Sequence, residues 1–329
     1  VKLVQSLYDW YLTNCRNLPW REDRNPYKIW ISEIMLQQTG VKTVLPYFLN
    51  FIKTFPTIES LANAEESQVL SNWAGLGYYS RARNIHKTAR LFHSEGRMPK
   101  NYFELLNYPG IGPYTSRAIS SIAFDEPVGV IDGNVIRILS RLLGWESEWW
   151  KSAHKNQFQE FADRINQQGK PPHIINQALM ELGATVCTPQ KPTCGECPWM
   201  NECVAFQTNT IQNYPAIKPK NEKQLWLWQT QIIQKKDELL FVKSLNGPFL
   251  KGQWLLPFKL TKLSNKPELF DFRHSVTKYS IFVRREEDIE VRDFRGNEYE
   301  TIWLKLDKID SYSQSSITKK SLRLYLNKD

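Results

Sequence analysis

From the start of the chain to about residue 205, apolar side chains recur at spacings of three and four; beyond residue 224 they alternate or cluster instead. The first pattern predicts helices and the second predicts strands. The opening VKLVQSLYDWYLTNC reads as an amphipathic helix, and Asn25-Pro26 supplies an N-cap and first-turn pair for a second helix reaching about Thr39. Further helices are expected over 41–55, 64–73, 80–94, 101–106, 113–124, 135–143, 153–168 and 172–186, separated by Gly and Pro punctuation. No segment repeats at a fixed period. Around NYPAIKPKNEK the periodicity lapses, which marks a linker over 207–224. Strands are expected over 225–233, 238–243, 280–284 and 300–306. The predicted organisation is a mainly α protein, with a helical domain over 1–206 and a small α+β domain over 225–329.

Composition mostly sets bounds. A chain of 329 residues with 41% apolar and 23% charged side chains suits two globular domains rather than disorder. Its opening lacks the basic start and apolar run of a secretory signal, and no apolar stretch approaches membrane-spanning length. An intracellular protein that stays off membranes is therefore expected. The net charge of +9 is unevenly placed: residues 1–210 carry 21 Lys and Arg against 19 Asp and Glu, whereas 211–329 carry 22 against 15. A basic surface beside a helical body suits a polyanion such as nucleic acid, although solubility alone explains such a charge equally well.

Cysteine placement is the most specific chemical signal. Cys187, Cys194, Cys197 and Cys203 are separated by six, two and five residues. Thiols clustered in an intracellular chain argue for metal rather than disulfides, and ligand number alone leaves zinc and a four-iron, four-sulfur cluster both open. Cys15, in the first helix, is expected to be a small buried residue. A second signal runs from Pro109 to Asn134. In Pro109-Gly110-Ile111-Gly112 the backbone can pass close to an anion, Pro113 suits the first turn of the next helix, and the free N–H groups there can hold a phosphate. Val130-Ile131-Asp132-Gly133-Asn134 then delivers a carboxylate out of an apolar run. Glu33 has Ile29 and Leu36 as its helical neighbours, an apolar face that favours the protonated acid. Each residue also has an ordinary explanation: Glu33 flanking a core stripe, Asp132 or Asn134 capping a helix.

Helix, PGIG turn, helix, Val-Ile-Asp-Gly-Asn and then Cys-x6-Cys-x2-Cys-x5-Cys resemble the helix-hairpin-helix DNA glycosylases of the endonuclease III superfamily that carry an iron-sulfur cluster. LPWR (18–21), SEIMLQQT (32–39), GLGYYSR (75–81) and ELGA (181–184) look like the adenine glycosylases of the MutY type. The likeness is close up to about residue 205 and weak afterwards. It implies a two-lobed helical domain whose loop over 187–203 holds a 4Fe-4S cluster on the four cysteines, which moves the reading from zinc to iron-sulfur. It also implies a monomeric base-excision enzyme, located with DNA, that flips adenine mispaired with 8-oxoguanine or guanine out of double-stranded DNA into a pocket.

In that reading Glu33 protonates adenine at N7, Asp132 stabilises the oxocarbenium-like sugar and Asn134 orients Asp132, a division of labour comparable to the paired acids of glycoside hydrolysis. Tyr114 stands where lyase members carry a Schiff-base lysine, which implies monofunctional chemistry. Arg21 and Glu181 are implied to line the adenine pocket, Gln38 and Tyr78 to wedge into the base stack, and Gly110 and Gly112 to approach the DNA backbone. The cluster loop near Lys191 is implied to present basic groups to phosphate. Packing or solvated surface would explain each of these residues without the resemblance.

The departures from the family fall mainly in the last third. Its members append a domain resembling Nudix hydrolases that recognises oxidised guanine, and GQWLLPF (252–258) looks like one of its strands. The Nudix hydrolase box is missing, so pyrophosphatase activity is not expected. The family's Phe-Ser-His turn aligns with Val276-Thr277-Lys278, or alternatively with Phe272-Arg273-His274. Thr277 and Lys278 still offer a hydroxyl and a cation to the opposite base. Gly40 stands where a longer residue is usual, and 260–271 is short. The implied outcome is an adenine glycosylase with relaxed discrimination for the opposite base. Two alternatives stand beside it: a glycosylase of the same fold acting on another base, and a non-catalytic iron-sulfur DNA-binding protein, against which the pair Glu33 and Asp132 argues.

Overall fold

The computed structural model describes residues 2–219, 222–276, 278–294, 298–312 and 315–326. The chain divides into two compact units, Val1–Lys218 and Pro219–Asp329. The first contains helices α1 (Lys2–Asn14), α2 (Pro26–Leu36), α3 (Val41–Thr54), α4 (Ile58–Ala62), α5 (Glu66–Asn72), α6 (Tyr79–Ser94), α7 (Tyr102–Leu105), α8 (Pro113–Phe124), α9 (Gly133–Leu143), α10 (Ser152–Asn166), α11 (Pro172–Thr185) and α12 (Val204–Gln207). All the expected helices are present; the unexpected ones, α4 and α12, are about a turn long. In α4 a capping box supplies the start, Thr57 Oγ1 accepting from the Ser60 amide and Ser60 Oγ from the Thr57 amide. No described helix is long and apolar enough to cross a membrane.

The helical unit has two hydrophobic cores. One is built around Trp30, Phe48, Phe51 and Phe92 from α2, α3 and α6, with Trp73 from the end of α5. The other joins Val4, Leu7 and Tyr11 of α1 to Val135, Leu139, Phe158 and Leu179 of α9, α10 and α11. The chain therefore starts in the second lobe, builds the first, and returns: Val130 belongs to the first core and Ile131 to the second. The returning segment, 128–132, forms neither helix nor strand, so side chains satisfy its polar groups. Asn176 accepts from the Val130 amide at 3.0 Å and donates to the Val128 carbonyl at 2.8 Å, while Asp163 accepts from the Gly129 amide at 2.6 Å. Gly129 is required there, because a Cβ would lie 2.3 Å from the Ala162 backbone.

Two sequence expectations are corrected in this unit. Cys15 follows α1 and is exposed rather than buried in it, because the helix ends where Thr13 and Asn14 turn their side chains back onto the Trp10 carbonyl. The segment read as a linker from 207 is packed for half its length: Arg141 donates to the carbonyls of Ile211 and Tyr214, Trp149 to that of Ala216, and the division falls at Lys218.

The second unit carries strands β1 (Gln224–Thr230), β2 (Gln234–Lys235), β3 (Glu238–Ser244), β4 (Trp254–Leu255), β5 (Phe258–Leu263), β6 (Phe272–Val276), β7 (Tyr279–Arg285) and β8 (Tyr299–Lys305), followed by α13 (Ile309–Tyr312) and α14 (Ser316–Leu326). One sheet has the order β5-β1-β7-β6, with β1 and β7 parallel; in the other β3 is flanked by β4 and β8, and β2 extends it. The segment 252–258, expected as one strand, is two. Pro257 has no amide to donate, its carbonyl accepts from Gln231 N and Thr230 Oγ1, and the chain changes sheet there.

Candidate active site

Glu33 and Asp132, one from each lobe, meet at one place. Eight of the eleven residues of α2 are buried, so Glu33, itself 6% exposed, has no solvent face and opens on a cavity of about 550 Å³. An outer cavity of about 870 Å³ adjoins it, and Glu33, Leu36, Tyr114 and Asp132 line both. Burial pushes the Glu33 carboxyl up to about 7; hydrogen bonding with Tyr114 and the charge of Arg21 restrain the rise, and Asp132 adds to it. Near neutral pH the group is thus poised between acid and carboxylate. Tyr114 Oη lies 3.2 Å from Met180 Sδ and within hydrogen-bonding reach of Glu33. A thioether is a weak acceptor, so Glu33 is the stronger partner. Burial first, then Glu33 and Asp132, hold the phenol proton on well above its usual range.

Asp132 is the N-cap of α9, with Oδ1 accepting from the Val135 amide at 2.8 Å and Oδ2 from Asn134 Nδ2 at 3.0 Å. Capping and a place in the site are therefore compatible. Asn134 is fixed in turn by Arg137, whose Nη2 donates to Asn134 Oδ1 at 2.9 Å and to the Gly183 carbonyl at 2.8 Å, while Nε donates to the Cys187 carbonyl at 2.8 Å. Gly183 must lack a side chain, because a Cβ would sit 2.6 Å from Asn134 Cβ.

Arg21 and Glu181 both line the inner cavity, as partners. Glu181 is fully buried; Arg16 Nε and Nη2 reach it at 2.6 and 2.9 Å and Arg21 Nη2 at 2.8 Å. Burial pushes this carboxyl up, but the two guanidiniums outweigh it and hold the group below its usual range. The wall thus carries a compensated carboxylate with fixed donors around it. Arg16 escaped sequence reading; nothing in its flanking pattern marks it.

Gln38 and Tyr78 are exposed and both left-handed, at φ 58° and 51°, a region that non-glycine residues seldom occupy. Gln38 lines the outer cavity with Gly110 and Gly112; Tyr78 lines neither cavity. Gly110 has φ 79°, and a Cβ there would meet Asn84 Cβ at 2.7 Å. Gly112 precedes Pro113 at the start of α8, which has no side-chain cap, so first-turn amides remain for an incoming anion. Lys155 and Gln159 also line the outer cavity, which the sequence did not suggest. In the second unit, Lys278 is exposed at the tip of the β6–β7 hairpin, where Val276 pairs with Tyr279; Thr277 lies outside the described residues.

All four cysteines are half-buried and line one small, mostly apolar cavity with Arg141 and Trp199. Arg141 Nη1 lies 3.5 Å from Cys187 Sγ and donates to the Thr188 carbonyl at 2.7 Å; Nη2 donates to the Pro189 carbonyl at 2.8 Å. Cys203 Sγ points at the Arg141 carbonyl. Among the described residues no three His, Cys, Asp or Glu converge closely enough to hold a single metal ion. Lys191 on this loop is exposed.

Two acids thus share one pair of cavities beside a glycine turn, one of them raised towards neutrality. A family model described as "HhH-GPD superfamily base excision DNA repair protein" matches residues 31–165, which include Glu33, the hairpin and Asp132. Adenine DNA glycosylase of Buchnera aphidicola subsp. Schizaphis graminum (strain Sg) is 36% identical over 299 residues, covering 85% of either chain. That of Homo sapiens is 43% identical over 213 residues, 61% of this chain and 39% of its own. Among solved structures, a thermostable thymine-DNA glycosylase matches 62% of this chain and 95% of its own, with a TM-score of 0.57 and 29% identity. Endonuclease III in a non-covalent DNA complex matches with the same coverage, a TM-score of 0.50 and 21% identity, which shows the fold. The chain belongs to this superfamily of base excision DNA repair proteins and, within it, to the adenine DNA glycosylase family.

Proposed function

We propose that the chain removes adenine from mispairs in double-stranded DNA by monofunctional hydrolysis of the N-glycosidic bond. The observation that carries this reading is the convergence of a buried Glu33, pushed up to about 7, and Asp132 on one cavity in a relative of adenine DNA glycosylases. The flipped base enters the inner cavity, between Glu33 and the Arg21–Glu181 wall. Glu33 delivers a proton to N7, and the departing base leaves neutral. Asp132, aligned by Asn134, faces the sugar from the junction of the cavities and stabilises its developing positive charge. Tyr114 hydrogen-bonds Glu33 and offers no amine, so no Schiff base forms at this position. Outside the site, the Gly110–Gly112 turn and the start of α8 receive phosphate, and Gln38 and Tyr78 enter the stack.

The cysteine loop fits a 4Fe-4S cluster: four cysteines surround a shared, mostly apolar cavity. Cys187, Cys194, Cys197 and Cys203 would hold it, and its contribution is to fix the loop that carries Lys191. The second unit is the opposite-base reader, divergent at Val276-Thr277-Lys278, which supports relaxed discrimination.

Base release from duplexes carrying adenine opposite 8-oxoguanine, guanine, cytosine and thymine tests the assignment. Adenine release is expected, and failure on all four with folded, iron-containing protein defeats it. The likeness to a thymine-DNA glycosylase makes thymine opposite guanine the informative control: release of thymine alone identifies that rival. A strong preference for 8-oxoguanine over guanine removes the relaxed-specificity part. Borohydride trapping should give no protein–DNA adduct, although Lys42 and Lys155 line the inner and outer cavities.

A further inference from the structure

Arg81 is 9% exposed, and among the described residues it has no ion pair. Its two terminal nitrogens are taken up mainly by backbone, while Nε is buried and, among the same residues, has no hydrogen-bond partner. Nη1 donates to the carbonyls of Ile34, Met35 and Gln37 at 2.9, 3.0 and 2.6 Å, and Nη2 reaches Thr39 Oγ1 and the carbonyls of Leu76 and Gly77 at 3.3–3.4 Å. The plane lies 5.3 Å from the Trp73 ring and 5.4 Å from the Tyr78 ring. These contacts explain why α2 stops at Leu36 rather than near Thr39: a cation takes the carbonyls that the helix end leaves open, and the next residues turn away. They also join two places far apart in sequence. The carbonyls of Gln37 and Gly77 each immediately precede an exposed residue held in the left-handed region, Gln38 and Tyr78.

We propose that Arg81 is a positioning residue that locks Gln38 and Tyr78 into one rigid unit, so that both side chains enter the base stack together. The proposal rests on the wedge reading of those two residues. A planar fork with donors on both sides can bridge two backbone segments and stack on a ring; an ammonium, with its donors at one point, cannot do both. Arg81→Lys therefore keeps the charge and loses the coupling.

Single-turnover adenine release is measured for Arg81→Lys on a duplex with adenine opposite guanine and on one with adenine opposite an abasic site, where no pairing opposes extrusion. The rate should fall roughly 10–100-fold on the paired duplex, the size of a misplacement effect, and by less than about 3-fold on the other. In the Gln38→Ala/Tyr78→Ala background, adding Arg81→Lys should cost less than about 2-fold, because residues acting as a unit are not additive. Equal losses on both duplexes, or the full loss in the double-alanine background, overturn the proposal and leave Arg81 as packing. The wedge reading fails separately if the double-alanine protein extrudes 2-aminopurine from the target position as fast as the wild type. Should Arg81→Lys not fold, hydrogen exchange on the wild-type chain decides: the amides of Thr39 and Leu76, bonded to Leu36 and Trp73, should open together, and rates more than ~10-fold apart overturn the coupling.

Discussion

Glu33 is poised near 7 because it has nowhere else to turn: the rest of its helix is packed, and the cavity offers it Tyr114 and Asp132 rather than bulk water. A raised acid pKa means that the proton-bearing form dominates below about 7 and is lost as pH rises through it. Single-turnover adenine release should therefore fall above pH 7, approaching about tenfold per pH unit. Glu33→Gln removes the proton and keeps the shape, so it should lower the rate by roughly 10²–10⁴-fold with DNA binding retained in a fluorescence-anisotropy titration. Asp132→Asn separates two roles of one side chain. The amide oxygen can still accept from the Val135 amide, but the new Nδ2 then faces Asn134 Nδ2 donor to donor, so the melting temperature should fall slightly while release falls by roughly 10²–10³-fold. These acids were legible in sequence chiefly through the motifs around them, SEIMLQQT and VIDGN; their apolar settings alone fit a core-flanking Glu and a helix cap as well. Arg16, Arg81 and Arg137 were not, because they act on a carboxylate or on carbonyls up to 165 residues away, and nothing local marks an arginine for such a partner.

Helices α2, α9 and α11 hold the site through their ends and close contacts more than through their amphipathic faces. At Gly183 in α11 the neighbour is Asn134 on α9, so Gly183→Ala should push the amide away from Asp132 and lower the rate more than a melting curve would suggest. At Gly129 the obstacle is backbone of α10, which cannot rotate aside; Gly129→Ala should destabilise by about 1–3 kcal/mol in urea titration. Long helices were readable because burial of one face writes a 3.6-residue period into the sequence. The β6 strand and the sheet change at Pro257 were not, because Phe272-Arg273-His274-Ser275-Val276 is apolar only at its ends, and partner choice depends on distant chain. The side-chain bridge from Asn176 to Val128 and Val130 is equally silent: an asparagine inside a helix gives no sign that it will stand in for a β-strand.

Across the whole molecule the excess positive charge should show as a salt dependence, the logarithm of DNA affinity falling linearly with that of salt concentration. Cys197→Ser should lose iron by direct assay, and because Arg137 ties the Cys187 carbonyl to Asn134, the loss should reach Asp132 as slower base release. The placement of α1 has another consequence, for the chain as it is made. Val4, Leu7 and Tyr11 pack in the core completed by α11, whose last residue is Thr185. At ~5–20 residues per second, α1 leaves the ribosome roughly 10–30 s before its partner does. Through that interval α1 carries an apolar stripe that its partner in the core cannot yet cover, with Lys2, Gln5 and Asp9 on its exposed positions. In the finished protein the same residues are engaged at the surface, Lys2 with Glu202 and Gln5 with Asp9, so one polar face serves both the helix waiting for its partner and the folded state.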